Sequence, residues 1–256
     1  FLTPVLGCAA GNYGTILRTT DGGAHWEEQE YGRTDDLRAI LFVDSLRGWA
    51  VGDNGTILHT SNGGEDWLEQ MSETFEGFNG VAFIDGSRGW VVGDNGLIER
   101  TMNGGGIWEK LTNVPVGGGT NLNGAFFFNE NSGFVVGSHG TILRTIDGGR
   151  TWSRPPAPTQ EHLLAVTFID LNNGWVVGAG GVLLRTINGG ATWTPQSSGV
   201  GTDLNSISFT STSEGWIVGE FGVVLHTTNG GSQWNRATNI GTSALTSALN
   251  GVSSRG

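Results

Sequence analysis

Cysteine occurs once in the 256 residues, at Cys8, so the chain can close no disulfide on itself and build no thiolate metal site. Proline is sparse as well, at 6 residues, which argues against an extended disordered linker. The five histidines (His25, His59, His139, His162, His226) are dispersed without metal-ligand spacing, and no metal or other cofactor is expected. No apolar run approaches the roughly 18 residues of a membrane-spanning helix. Cations are short too: 13 Lys and Arg stand against 24 Asp and Glu, for a net charge of −11. Most of the imbalance lies in residues 1–110, which hold 17 of the acids and 7 of the bases. An acidic surface repels phosphate backbones, so nucleic acid is not an expected partner. The chain starts at Phe1 rather than Met, as expected of a processed sequence or a fragment.

Glycine, by contrast, supplies 45 residues, and they recur in phase with tryptophan. Six times the chain writes Thr, any residue, Asp or Asn, Gly, Gly, any two residues, Trp: at 19–26, 60–67, 101–108, 145–152, 186–193 and 227–234. A period near 40 with strand-like content is the signature of a propeller or a related array. In the unit 37–70, Leu37–Val43 reads as one strand and Gly48–Gly52 as a second. Asp53-Asn54-Gly55 is a turn, Thr56–Thr60 a third strand and Asp66–Gln70 a fourth. Four antiparallel strands per unit make one blade, and the expected fold is an all-β propeller forming a single domain over 1–256.

The repeated word reads as a turn lock. Its Asp or Asn accepts hydrogen bonds from turn amides, its glycines permit positive φ, and its Trp packs under the hairpin. Four of the six copies carry Asn, leaving only Asp21 and Asp147 acidic, which speaks against a catalytic carboxylate. Four further Trp (Trp49, Trp90, Trp175, Trp216) share a second-strand phase completed by Phe134 and Cys8. Phe42, Phe83, Phe127, Phe168 and Phe209 share another, expected between neighbouring blades. At the ends, Leu245–Leu249 matches the start of a first strand and Phe1 supplies the missing Phe phase, so the terminal segments are expected to share a blade. Six blades are expected, or seven if the natural chain is longer. The three-residue excess around Val116–Gly119 reads as drift in a surface loop.

Gly48-Trp-Ala-Val-Gly-Asp-Asn-Gly-Thr-Ile-Leu58, running into Thr60-Ser-Asn-Gly-Gly-Glu-Asp-Trp67, resembles the photosystem II stability and assembly factor family of Asp-box propellers. The resemblance implies a non-catalytic scaffold that binds partner proteins during assembly of a photosynthetic reaction centre. It also implies an extracytoplasmic location: periplasm, thylakoid lumen or secreted. The expected state is a monomer. The family's arginine-rich patch is matched by the last basic residue of each third strand: Arg18, His59, Arg100, Arg144, Arg185 and His226. Either these bind an acidic protein segment or each pairs between blades. The turns and connections opposite the repeated word collect Asp53, Asp94, Glu220 and the acidic stretches 27–36 and 69–76, a second candidate surface suited to a basic or amide-rich partner.

Neuraminidases share the repeated word, so a glycan-binding or glycoside-hydrolysing propeller is the alternative. Its nearest candidate nucleophile is Tyr31 beside Glu30, since Tyr13 falls in a turn. Val5-Leu-Gly-Cys8 loosely resembles a lipoprotein processing site, but Cys8 also falls in the Trp49 phase, and the repeat explains it better.

Overall fold

The computed structural model describes residues 3–237 and 247–253. Six antiparallel sheets of three or four strands follow one another along them, one per repeat, and the fold is a six-bladed β-propeller. The second blade shows the full pattern: Leu37–Phe42, Gly48–Gly52, Ile57–Thr60 and Leu68–Gln70, each strand paired with the next. The first blade shows three strands, Gly7–Ala10, Ile16–Thr19 and Glu27–Gln29. In the fourth, the place of the outer strand is held by a bridge between Arg144 and Ser153. The outer strands start two residues later than the sequence pattern places them, because the turn of the repeated word runs on to its Trp.

The chain divides into two compact units, Phe1–Gly133 with Thr145–Trp152, and Phe134–Arg144 with Ser153–Gly256. Each has its own aromatic packing. In the first, Phe83 stacks on Trp49 and Phe127 on Trp90, both with ring centroids 3.6 Å apart, so the Phe phase does lie between successive blades. In the second, Phe209 meets Trp175 at 4.6 Å and Phe168 meets Phe134 at 4.8 Å. Every one of these Phe rings also meets the repeated-word Trp of its own blade edge-on, as Phe42 does Trp67. The glycine opening each second strand makes room for this: a Cβ on Gly48 would sit 2.6 Å from the Phe42 ring. Trp49, Trp90 and Trp175 are fully buried, as offset aromatic stacking with large apolar area requires.

The register at the C-terminal end differs from the sequence expectation. Leu249 N–H donates to Gly219 O as Leu37 N–H does to Gly11 O, and Asn205 Nδ2 donates to Leu249 O as Asn79 Nδ2 does to Leu122 O. The unit therefore restarts at Leu249-Asn-Gly-Val, which matches Leu122-Asn-Gly-Ala, and not at Leu245. Leu245 and Phe1 lie outside the described residues. The spacing of 41 hid this, because four extra residues precede Leu249.

Candidate partner-binding site

The two ends of each blade are built differently. At one end the repeated word closes on the loop between first and second strands: Gly63 N–H donates to Leu46 O, Gly104 to Ser87 O and Gly189 to Asn172 O. Within the word, Thr60 Oγ1 donates to Asn62 Oδ1 at 2.9 Å and accepts the Gly64 N–H at 3.0 Å, while Asn62 Oδ1 accepts the Asp66 N–H. All six copies repeat these bonds, with Asp21 and Asp147 substituting for Asn. The carboxylates of Asp21 and Asp147 are held well below the usual range by hydrogen bonds from His25 and Thr151 respectively. They are turn locks, as the sequence suggested.

At the other end, a 3₁₀ turn between second and third strands meets the connection from the preceding blade's outer strand. Asp53 N–H donates to Asp36 O and Glu220 N–H to Asp203 O, each at 2.9 Å. Asn54 Nδ2 donates to Asp35, and Tyr13 N–H to Asp36. The sequence anticipated this shared end. It did not anticipate Arg38, which occupies a register shift in the first strand of blade two and turns across the blades. Arg38 pairs with Asp53 at 2.5 Å and approaches Asp94 at 3.6 Å, with Asn79 bonded to both Arg38 and Asp94. Asp53 and Asp94 are thus gathered on one guanidinium. Glu220 opens the corresponding turn in blade six. The signal for Arg38 was a break in phase, since the matching positions hold Asn79, Asn123, Leu164 and Asn205.

The six third-strand residues do not form a uniform cationic set. Arg18 Nε donates to Gly63 O of the next blade at 3.0 Å, and Arg100 Nη1 to Gly148 O at 3.1 Å. Arg100 also pairs with Glu109 at 2.6 Å and is largely buried. Arg185 lies over the Trp175 ring at 5.4 Å, and Arg144 over Phe134 at 5.9 Å. His226 stacks on Trp216 at 3.8 Å and meets Glu214 at 3.1 Å. His59 packs on Trp49 with its ring tilted, at 4.8 Å, and burial pushes its pKa down. In this blade Gln70 Nε2 supplies the bond to Gly104 O. Arg100 lines a pocket of about 280 Å³ with Lys110, Arg150, Glu109, Thr112 and Asn113, and His59 lines another of about 330 Å³ with Glu30 and Asp66.

The enzymatic candidate is poorly arranged. The Tyr31 hydroxyl donates to Asp35 O at 3.4 Å, and burial, with Asp35 next, raises its pKa, the reverse of nucleophile activation. Cys8 lies within a strand, opposite Arg18, and burial pushes its thiol up to about 11. Among the described residues no cluster of His, Cys, Asp and Glu could hold a metal ion, and no helix is long and apolar enough to cross a membrane.

The family model described as photosynthesis system II assembly factor YCF48 matches residues 1–74, 71–158 and 155–242. The chain belongs to this family. No curated protein matches it. Among solved structures, the fold resembles YCF48 bound to D1 peptide, at 20% identity over 92% of this chain and 78% of that one, with a TM-score of 0.72. It resembles YCF48 from Cyanidioschyzon merolae equally, at 19% identity over 92% and 82% of the two chains and a TM-score of 0.72. The Niastella koreensis GH74 enzyme shares the fold at 15% identity and a TM-score of 0.75, over 90% of this chain but 43% of its own. At such identities these likenesses establish fold alone, and the family assignment rests on the model match.

Proposed function

We propose that the protein is a non-catalytic, single-domain, monomeric scaffold that binds a partner protein during photosystem II assembly, outside the cytoplasm. The match to the assembly-factor family across residues 1–242 carries this reading. The structure of a relative bound to a D1 peptide supports a peptide segment as ligand. Two surfaces offer contacts: the third-strand cations, whose guanidinium N–H groups beyond those used between blades suit carboxylates, and the turn end bearing Asp53, Asp94 and Glu220. Titration calorimetry with a synthetic D1 peptide tests the reading. Binding is expected, and Arg100→Ala with Arg144→Ala should weaken it at least about tenfold, with a fall in melting temperature because Arg100 also holds Gly148 O. A wild-type protein that leaves the peptide unbound overturns the proposal. A double variant that fails to fold assigns these arginines to the scaffold.

The alternative is a glycan-active propeller, favoured by the GH74 likeness of fold. Turnover of a β-glucan or sialoside, abolished by Tyr31→Phe, would establish it in place of the scaffold.

A further inference from the structure

The connections from blade two to three and from blade five to six have the same length and share an anchoring serine, although Gly199 takes a φ of 74° where Glu73 stands in the first. Gln70 Nε2 donates to Gly104 O, the first glycine of the next word, at 2.8 Å, whereas Gln196 Nε2 reaches the second, Gly231 O, at 2.6 Å. Ser72 Oγ donates to Gly55 O at 2.7 Å, and Ser198 Oγ to Gly181 O at 2.7 Å. Both reach the next first strand at the same remove, at Phe78 and Leu204. Position by position, Met71 therefore matches Ser197, and Phe75 matches Gly201.

The second connection spans the same distance with Ser197 and Gly201 at these two places, and a Cβ at Gly201 would meet nothing within 4 Å. Met71 and Phe75 are correspondingly 88% and 91% exposed, so neither helps to hold the loop. The loop is nonetheless pinned. Beyond Ser72, Thr74 Oγ1 accepts the Glu76 N–H at 3.0 Å and Glu76 Oε2 accepts from Asn95 Nδ2 at 3.0 Å. Large apolar side chains on a pre-ordered loop bind a partner at little entropic cost, which is the character of an interface anchor. Leu68, 71% exposed, begins the strand leading into them.

The charge around these anchors selects the partner. At this end of the blade residues 69–76 hold Glu69, Glu73 and Glu76 and no Lys or Arg; Glu69 pairs with Arg33 from the preceding connection. We infer that Met71 and Phe75 anchor a docking surface for a partner-protein segment in which Lys or Arg flanks an aliphatic or aromatic residue. The inference rests on the partner-binding reading above and adds the place and the chemistry of the contact. The same carboxylates repel an anionic bilayer, which favours a protein segment over a membrane.

The test uses a fluorescein-labelled peptide of alternating Lys and Leu, read by anisotropy. Wild type is compared with Met71→Ser plus Phe75→Ser, a variant that removes no charge. Affinity should fall at least about tenfold in the variant, with the melting temperature held within about 2 °C. A Glu-Leu peptide should bind neither protein. Equal affinity of wild type and variant overturns the inference, as does failure of the Lys-Leu peptide to bind wild type. Binding to phosphatidylglycerol vesicles that is lost in the variant overturns it in favour of a membrane. The D1 peptide is titrated in parallel: if it binds while the Lys-Leu peptide fails, the docking surface falls and the partner-binding reading stands. If the D1 peptide fails while the variant still discriminates, the docking surface stands without that partner.

Discussion

Glu99 is the residue that most clearly breaks the repeat from within. Its phase in the third strand is Leu in all five other blades: Leu17, Leu58, Leu143, Leu184 and Leu225. It is 1% exposed, and neither carboxylate oxygen has a hydrogen-bond partner among the described residues. Burial pushes its pKa up from an ordinary 4.5 to about 7, against a smaller opposing effect of Lys110. The folded state therefore holds this proton more tightly than the unfolded chain. Its stability is undiminished below about pH 4.5, declines as pH rises toward 7, and levels off above at a cost of roughly 3 kcal/mol. Glu99→Leu should remove that dependence, with a clear rise in stability at pH 8 and a much smaller one at pH 5. Denaturant melts at the two pH values measure it, and an equal gain at both would show that Glu99 titrates normally. The break in phase was present in the sequence, but a single charged residue on a strand reads as solvated until its burial is known.

At the scale of the element, the Asp-box turn shows how much of a local structure the sequence can specify. The acceptor role of Asp or Asn and the positive φ of the glycines followed from residue type, and Gly63 and Gly64 do take φ of 74° and 81°. The double role of the Thr hydroxyl was not legible, because it depends on the strand end being buried: Thr60 is 1% exposed. Thr60→Val keeps the shape and leaves the Gly64 N–H and Asn62 Oδ1 short of a partner, so it should cost about 1–3 kcal/mol. Asn188→Asp should cost far less, since Thr192 stands beside it as Thr151 stands beside Asp147, ready to donate to a carboxylate. Chemical denaturation of the two variants checks the order, and a Thr60→Val protein as stable as wild type would remove the hydroxyl from the account. The third-strand cations teach the converse lesson. Their repetition alone could not separate binding from bracing, and only the neighbouring blade shows that Arg18 and Arg100 reach its turn carbonyls.

For the whole molecule, charge is the property most exposed to experiment. With a net charge of −11 and 17 of 24 acids in residues 1–110, a cationic partner is drawn in by a field that salt screens over about 10 Å at 0.1 M. Raising ionic strength from about 50 to 500 mM should slow association with such a partner severalfold and change dissociation little. Surface plasmon resonance with the Lys-Leu peptide reads both rates. A salt-independent association rate would reject the electrostatic part of the recognition.

Strand order, blade type and the assignment of nearly every Trp were determined by the sequence alone, because each follows from a period and from turn chemistry local to about 40 residues. Which charges remain available, and which loop presents apolar side chains to solvent, was decided only by tertiary structure. Arg38 is neutralised by aspartates 15 and 56 residues away in sequence, and the exposure of Met71 and Phe75 depends on where the next blade stops. Burial and pairing are properties of neighbours brought together by the fold, and no repeat period encodes them.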